Sequence, residues 1–254
     1  MSLDTPARIA ILGAGPTGLE AALYARFLGY DVDVYERGRV AENLLGCGQQ
    51  PLAVPWRLVP SPLAVAALEA QDASWQVPAA DAILTCEEIV ARYYVPLASS
   101  DLLVDGVRTQ TTVHAVSRLK ETGESLARDE LRGDEARADG AFCIALRTGS
   151  GEEQLVLADA VIDCTGAGGL NHDGSGSDFL GQLQTELLEP QVSSAGGPQR
   201  LLRVEPDFYI LGAKSRQNGD EFTFAEGLVQ IRDLFTIVGD RTTLDLYAGF
   251  PTLR

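Results

Sequence analysis

The chain has 254 residues, 45% of them hydrophobic, which is enough to bury a substantial core and too apolar for a disordered chain. A formal charge of -16 argues against general binding to nucleic acid or to an anionic membrane surface, although local positive sites remain compatible with it. Four cysteines, Cys47, Cys86, Cys143 and Cys164, stand far apart with no C-x-x-C pair, so neither a zinc site nor a two-cysteine redox centre has support from spacing.

Apolar Ile9, Ala10, Ile11 and Leu12 predict a buried parallel strand. Gly13, Gly15 and Gly18 then form a G-x-G-x-x-G turn, residues 19–28 continue as a helix, and residues 32–35 form a second strand that ends at Glu36. Gly13 permits the tight turn, Gly15 lets backbone approach a diphosphate, and Gly18 lets the helix pack on the strand. Diphosphate oxygens would face the unpaired N–H groups at the helix start, beside Pro16 and Thr17. Glu36, followed by Arg37, is placed to accept hydrogen bonds from a ribose. Strand, glycines, helix, strand and terminal acid together predict binding of an adenine dinucleotide.

Residues 37–62 are rich in Gly, Pro and Gln and predict mostly loop, with Cys47 inside it. Residues 63–70 predict a short helix and 72–81 another loop. A helix is expected over 86–97, capped by Thr85, with Ile89, Val90, Tyr93, Tyr94 and Leu97 as its core-facing stripe. Trp56 and Trp75 fit core positions or a cover for an apolar ring. Residues 107–118 predict one strand, in which His114 is expected to be structural. The charged segment 120–139 reads as a solvated excursion. Strands over 142–147 and 154–157, joined by a turn, make a small antiparallel insertion spanning about 107–158. A strand over 160–164 leads into Thr165 and Gly166. Residues 170–198 read as linker, with a helix only over 179–188. A strand over 208–211 ends at Gly212, a helix follows over 224–235, and the tail packs back through Leu246, Tyr247 and Phe250. The chain opens on a strand with no basic region and apolar signal segment, and no stretch has membrane-spanning length. A soluble, cytoplasmic protein without a membrane partner is the expectation.

Three blocks resemble the FAD-binding half of the two-dinucleotide-binding-domain flavoproteins, which include flavin-dependent monooxygenases and thioredoxin-reductase-like enzymes. They are the fingerprint from Ile9 to Glu36, the strand Val161-Ile162-Asp163 with its Cys164-Thr165-Gly166 turn, and the closing segment from Asp207 to Phe235. The last block is closer to the monooxygenase-like members. The resemblance implies a Rossmann-like α/β fold, a parallel sheet flanked by helices with the antiparallel insertion, forming one FAD-binding domain over 1–254 with irregular segments at 37–81 and 170–207. It implies FAD as cofactor, held by Gly13, Gly15, Pro16, Thr17, Gly18, Glu36, Arg37, Thr165, Gly166, Gly212, Ala213 and Lys214. The NAD(P)H-binding domain that these enzymes insert is expected to be absent, because no second strand–glycine–helix unit lies between Gly166 and Asp207. Ala213 stands where many relatives carry an aspartate.

The functional expectation is an FAD-dependent oxidoreductase acting on a small organic substrate, either oxidising it directly or receiving electrons from a separate reductase or a transiently docked reduced nicotinamide. The alternative is a degenerate flavoprotein serving as a non-catalytic binding or partner protein. Cys47 reads as an ordinary loop thiol, a residue near the flavin, or a redox nucleophile, and is the one named candidate for a catalytic side chain. His114 and His172 support no Ser-His-Asp arrangement, and no residue cluster has metal-ligand spacing. Substrate and oligomeric state are not legible.

Overall fold

A computed structural model of the chain describes residues 3–118, 142–166, 202–215, 222–241 and 243–249. The sequence-based expectations for 120–139, for the linker and helix of 170–198, and for Phe250 fall outside these residues. A six-stranded sheet forms the centre, in the order β3-β2-β1-β7-β9-β8. Its strands are β1 (Arg8–Leu12), β2 (Asp31–Tyr35), β3 (Val107–Arg108), β7 (Ala160–Asp163), β8 (Leu202–Glu205) and β9 (Phe208–Ile210). All neighbours run parallel except β8, which is antiparallel to β9. A second, three-stranded antiparallel sheet is built from β4 (Thr111–Arg118), β5 (Phe142–Thr148) and β6 (Glu153–Ala158).

The period-two alternation of the central strands assigns their two faces. Ile9, Ile11, Val32, Val34, Ile162 and Tyr209 point into a core shared with the helices. Ala10, Leu12, Val161, Phe208 and Ile210 meet Val113, Val116, Phe142 and Ile144 of the antiparallel sheet. The result is three layers, with helices α1 (Pro16–Phe27), α3 (Pro62–Gln71) and α6 (Phe224–Val238) on one side and the small sheet on the other. This is a Rossmann-like fold with an antiparallel insertion, as expected from the sequence.

Three local expectations need correction. The segment 107–118 is not one strand. Val107 and Arg108 pair with β2, the chain turns at Gln110 (φ 53°), and the rest joins the second sheet. The loop after β2 contains a short helix, α2 (Glu42–Leu45), and a 3-10 turn at Trp56–Leu58. The helix expected over 86–97 is interrupted. It runs as α4 (Cys86–Ile89), a π turn at Val90–Tyr94, and α5 (Val95–Ala98). Pro96 has no N–H to give to the carbonyl of Arg92, and the indole Nε1 of Trp75 donates to that oxygen instead, at 2.9 Å. The Thr85 cap and the buried stripe of Ile89, Val90, Tyr93, Tyr94 and Leu97 are as expected, and Glu88 completes a capping box with Thr85.

Candidate functional site

A cavity of about 560 Å³ opens at the carboxyl ends of the parallel strands. Its walls include Leu12 and Gly13 at the end of β1, Tyr35 and Glu36 at the end of β2, Cys164 and Thr165 after β7, and Gly212 after β9. Ligand clefts of open α/β sheets form at such ends, because the loops leaving the strands diverge there.

The glycine turn is built as its spacing requires. Gly13 has φ 99°, outside the range that side chains favour, and its N–H donates to Tyr35 O at 2.8 Å. A β-carbon on Gly18 would overlap the Gly13 carbonyl oxygen, so the residue has to be glycine for α1 to lie against the turn. Among the described residues, a β-carbon at Gly15 would meet nothing within 4 Å, and no side chain caps α1. The helix therefore begins at Pro16, within the fingerprint, with its first-turn amides uncapped by any side chain. The Glu36 carboxylate already braces this turn, accepting from Ala14 N at 2.9 Å and from Gly38 N at 2.8 Å.

The opposite wall is held by α6. Gly212 has φ 80°, and its N–H donates to Gln230 Oε1 at 2.8 Å. Gln230 Nε2 in turn donates to Ser215 Oγ at 2.7 Å, and Ser215 Oγ donates to Gly212 O at 2.7 Å. Thr17 sits between the two glycines of this wall, since a β-carbon on either Gly212 or Gly227 would come within 3.5 Å of its Oγ1. Thr223 and Glu226 form a capping box at the start of α6.

Of the twelve expected cofactor-binding residues, Gly13, Gly15, Pro16, Thr17, Glu36, Arg37, Thr165, Gly166, Gly212 and Ala213 line this one cavity. Gly18 lies behind the wall, in its packing role. Lys214 turns away from the cavity lining to pair with Asp163, Nζ to Oδ2 at 2.6 Å, where the aspartate side chain is 2% exposed. Asp163 Oδ1 also accepts from Thr165 N and Thr165 Oγ1, so this carboxylate fixes the Thr165 turn. Cys47 is exposed and outside the lining.

Glu20, His114 and Glu42 also line the cavity, although Glu20 and Glu42 had no role legible in the sequence and His114 was expected to be structural. Glu20 of α1 is 4% exposed. Its Oε1 accepts from the Tyr93 hydroxyl and from Ser61 N, while its Oε2 is buried without a partner among the described residues. Burial, opposed by these hydrogen bonds, raises the pKa of Glu20. Burial likewise pushes Tyr93 and Tyr94 well above the usual phenol value. His114 lies at the register shift of β4 and lines the cavity, with its Nε2 buried and without a partner among the described residues. Glu42, on the rim, is held at about 2 by the Arg39 guanidinium, whose Nε and Nη2 donate to its two oxygens at 2.9 Å. An acid inside an apolar helix and a histidine in a strand carry no local signal of a shared cavity, and only the tertiary arrangement brings them together.

Among the described residues there is no cluster of three potential metal ligands and no helix long and apolar enough to cross a membrane.

No protein-family model and no curated protein sequence matches the chain. Solved structures match it in fold. THI4 from Thermovibrio ammonificans is 15% identical, over 94% of this chain and 90% of that one, with a TM-score of 0.53. The bacillithiol disulfide reductase Bdr of Bacillus cereus is 17% identical over 63% of this chain and 40% of its own, with a TM-score of 0.42. An oxidized steroid monooxygenase, solved bound to NADP, is 22% identical over 62% of this chain and 26% of its own, with a TM-score of 0.41. The chain thus spans less than half of the reductase and of the monooxygenase. The likeness to THI4, which extends over nearly all of both chains, is one of fold.

Proposed function

We propose that the protein binds FAD in this cavity and is a flavin-dependent oxidoreductase of a small organic substrate, trading electrons with a separate partner rather than with a nicotinamide domain of its own. The observation that carries the reading is the continuity of the cavity. It joins the glycine turn and the start of α1 to Glu36 on one side, and to Gly212 and the start of α6 on the other.

The residues present fit the cofactor. Gly15 leaves room for a diphosphate against backbone, and the positive end of α1 favours its charge. Glu36 uses one oxygen on each of two amides, so each oxygen retains a lone pair for a ribose hydroxyl. Flavin, when bound, supplies the hydride and electron chemistry. The chain's own residues bind and orient it, and the positive end of α6, where Phe224 and Gly227 line the cavity, favours negative charge beside Gly212. Glu20 adds a buried carboxyl to the wall, and burial raises its pKa against the hydrogen bonds from Tyr93 and Ser61.

The test is direct. Purified protein is expected to be yellow, or to become so with added FAD, and to release FAD on denaturation. Gly15→Trp is expected to abolish flavin content while the fold persists by circular dichroism. Colourless protein that takes up no flavin overturns the proposal.

A further inference from the structure

Cys47 and Cys86 are distant in sequence, yet the fold sets their segments side by side. Pro51 and Thr85 form an antiparallel bridge. Cys86 N–H donates to Gln50 O at 2.9 Å, and Glu87 N–H donates to Gly48 O at 3.1 Å. The side-chain amide of Gln49 bonds to the Glu87 carboxylate. These bonds pin both flanks of the two cysteines, and α2 packs on α4. Cys47 is exposed, with Sγ 3.7 Å from Asn43 O. Cys86 is buried, at 5% exposure. Burial first, then the adjacent Cys47 thiol, raise the pKa of Cys86. Neither residue lines the cavity, but α2 contributes Glu42 and Asn43 to its rim.

We propose that Cys47 and Cys86 form a redox modification site, closing to an intramolecular disulfide when the protein meets hydrogen peroxide or another hydroperoxide. Exposed Cys47 reacts first. Its thiolate attacks a peroxide oxygen, the O–O bond breaks, and Cys47 becomes a sulfenic acid as hydroxide leaves. The Cys86 sulfur then attacks the Cys47 sulfur, expelling a second hydroxide as the S–S bond forms. The two thiol protons neutralise the two hydroxides. Two thiols are oxidised by two electrons in total, and one peroxide is reduced to two waters. The bridge ties the cavity rim at α2 to the start of α4, and a dithiol reductant reverses it. The site is independent of the flavin reading.

The experiment treats the full chain with hydrogen peroxide, alkylates the remaining thiols in denaturant, and maps the peptides by mass spectrometry. The expected result is the paired loss of two of the four thiols, in a monomeric Cys47–Cys86 crosslinked peptide that dithiothreitol releases. Cys86→Ala is expected to divert Cys47 to a sulfenic acid that dimedone traps, whereas Cys47→Ala leaves Cys86 fully alkylatable. The wild-type map stands without either variant. Cys47 oxidised or joined between chains while Cys86 stays free overturns the proposal. So does retention of both thiols at a peroxide dose that oxidises glutathione in the same tube.

Discussion

Glu20 is the residue at which burial and chemistry conflict most openly. Its folded pKa is raised, so its contribution to stability is complete below the unfolded carboxylate value and is lost as pH rises through the folded one. The facing groups are Tyr93 and Tyr94 of the π turn and Tyr247 of the tail, all phenols whose own pKa values are raised and which stay neutral across this window. Glu20→Gln, which removes the titration and keeps the shape, is therefore expected to gain stability relative to wild type as pH rises from 5 to 8 (about three orders of magnitude in proton activity). Thermal melts of both proteins at each pH check this; a pH-independent difference contradicts it. Gly18 makes a simpler case. With a β-carbon overlapping the Gly13 carbonyl, Gly18→Ala is expected to cost ~1–3 kcal/mol in chemical denaturation and to weaken flavin binding, because the turn itself must move.

At the scale of elements, the two capping boxes offer a controlled comparison. Thr223→Ala and Thr85→Ala each remove an oxygen that accepts a first-turn amide, and each is expected to cost ~1 kcal/mol. Only the first caps a helix whose opening turn lines the cavity. Thr223→Ala should therefore also lower flavin affinity, while Thr85→Ala should lower the denaturation midpoint alone. The strand–turn–helix–strand unit was legible because apolar alternation, glycine spacing and a terminal acid all point to one conformation. The Thr85 cap was legible for a similar reason, since Thr-x-x-Glu is a local pattern. The split of residues 107–118 between two sheets was not. Apolar alternation is the same whichever sheet a strand joins, and the corner at Gln110 takes a positive φ without glycine to announce it. The ion pair of Lys214 was not legible for a related reason, as its partner Asp163 is set by β7 rather than by its neighbours in the chain. Asp163→Ala, which leaves the mostly buried ammonium unpaired and frees the Thr165 turn, is expected to cost ~3 kcal/mol in a urea titration.

At the scale of the molecule, the helical core is contiguous from Ala7 near the start of β1 to Val238 at the end of α6, with Leu246 and Tyr247 packed against it. Tyr24 stacks on Phe235, with ring centroids 5.2 Å apart, and meets Tyr247 edge-on at 5.0 Å. The cavity is walled by loops from both halves of this core and by the small sheet. A ligand that fills it is therefore expected to stabilise the whole fold against unfolding, not a part of it. Saturation with FAD at about 100 times its dissociation constant corresponds to ~2.7 kcal/mol. A single melting transition that rises with FAD concentration is the expected trace, and an unmoved midpoint contradicts it. The general architecture followed from the sequence, whereas the walls at Glu20 and at Thr111 to His114 did not, because an acid in an apolar helix and a strand of the insertion carry no local sign that they face a cavity.

The Arg92 carbonyl, to which the Trp75 indole donates because Pro96 has no N–H to give, bears on how this protein tolerates change in length. The widened turn is what lets two successive tyrosines face inward, one to the acid of α1 and one to the cavity. Shortening the segment between Ile89 and Val95 by a single position would close the wide turn to ordinary pitch and change where Tyr93 and Tyr94 point. Here a deletion, even of an exposed side chain such as Arg92, disturbs the ligand chamber more than most replacements within it.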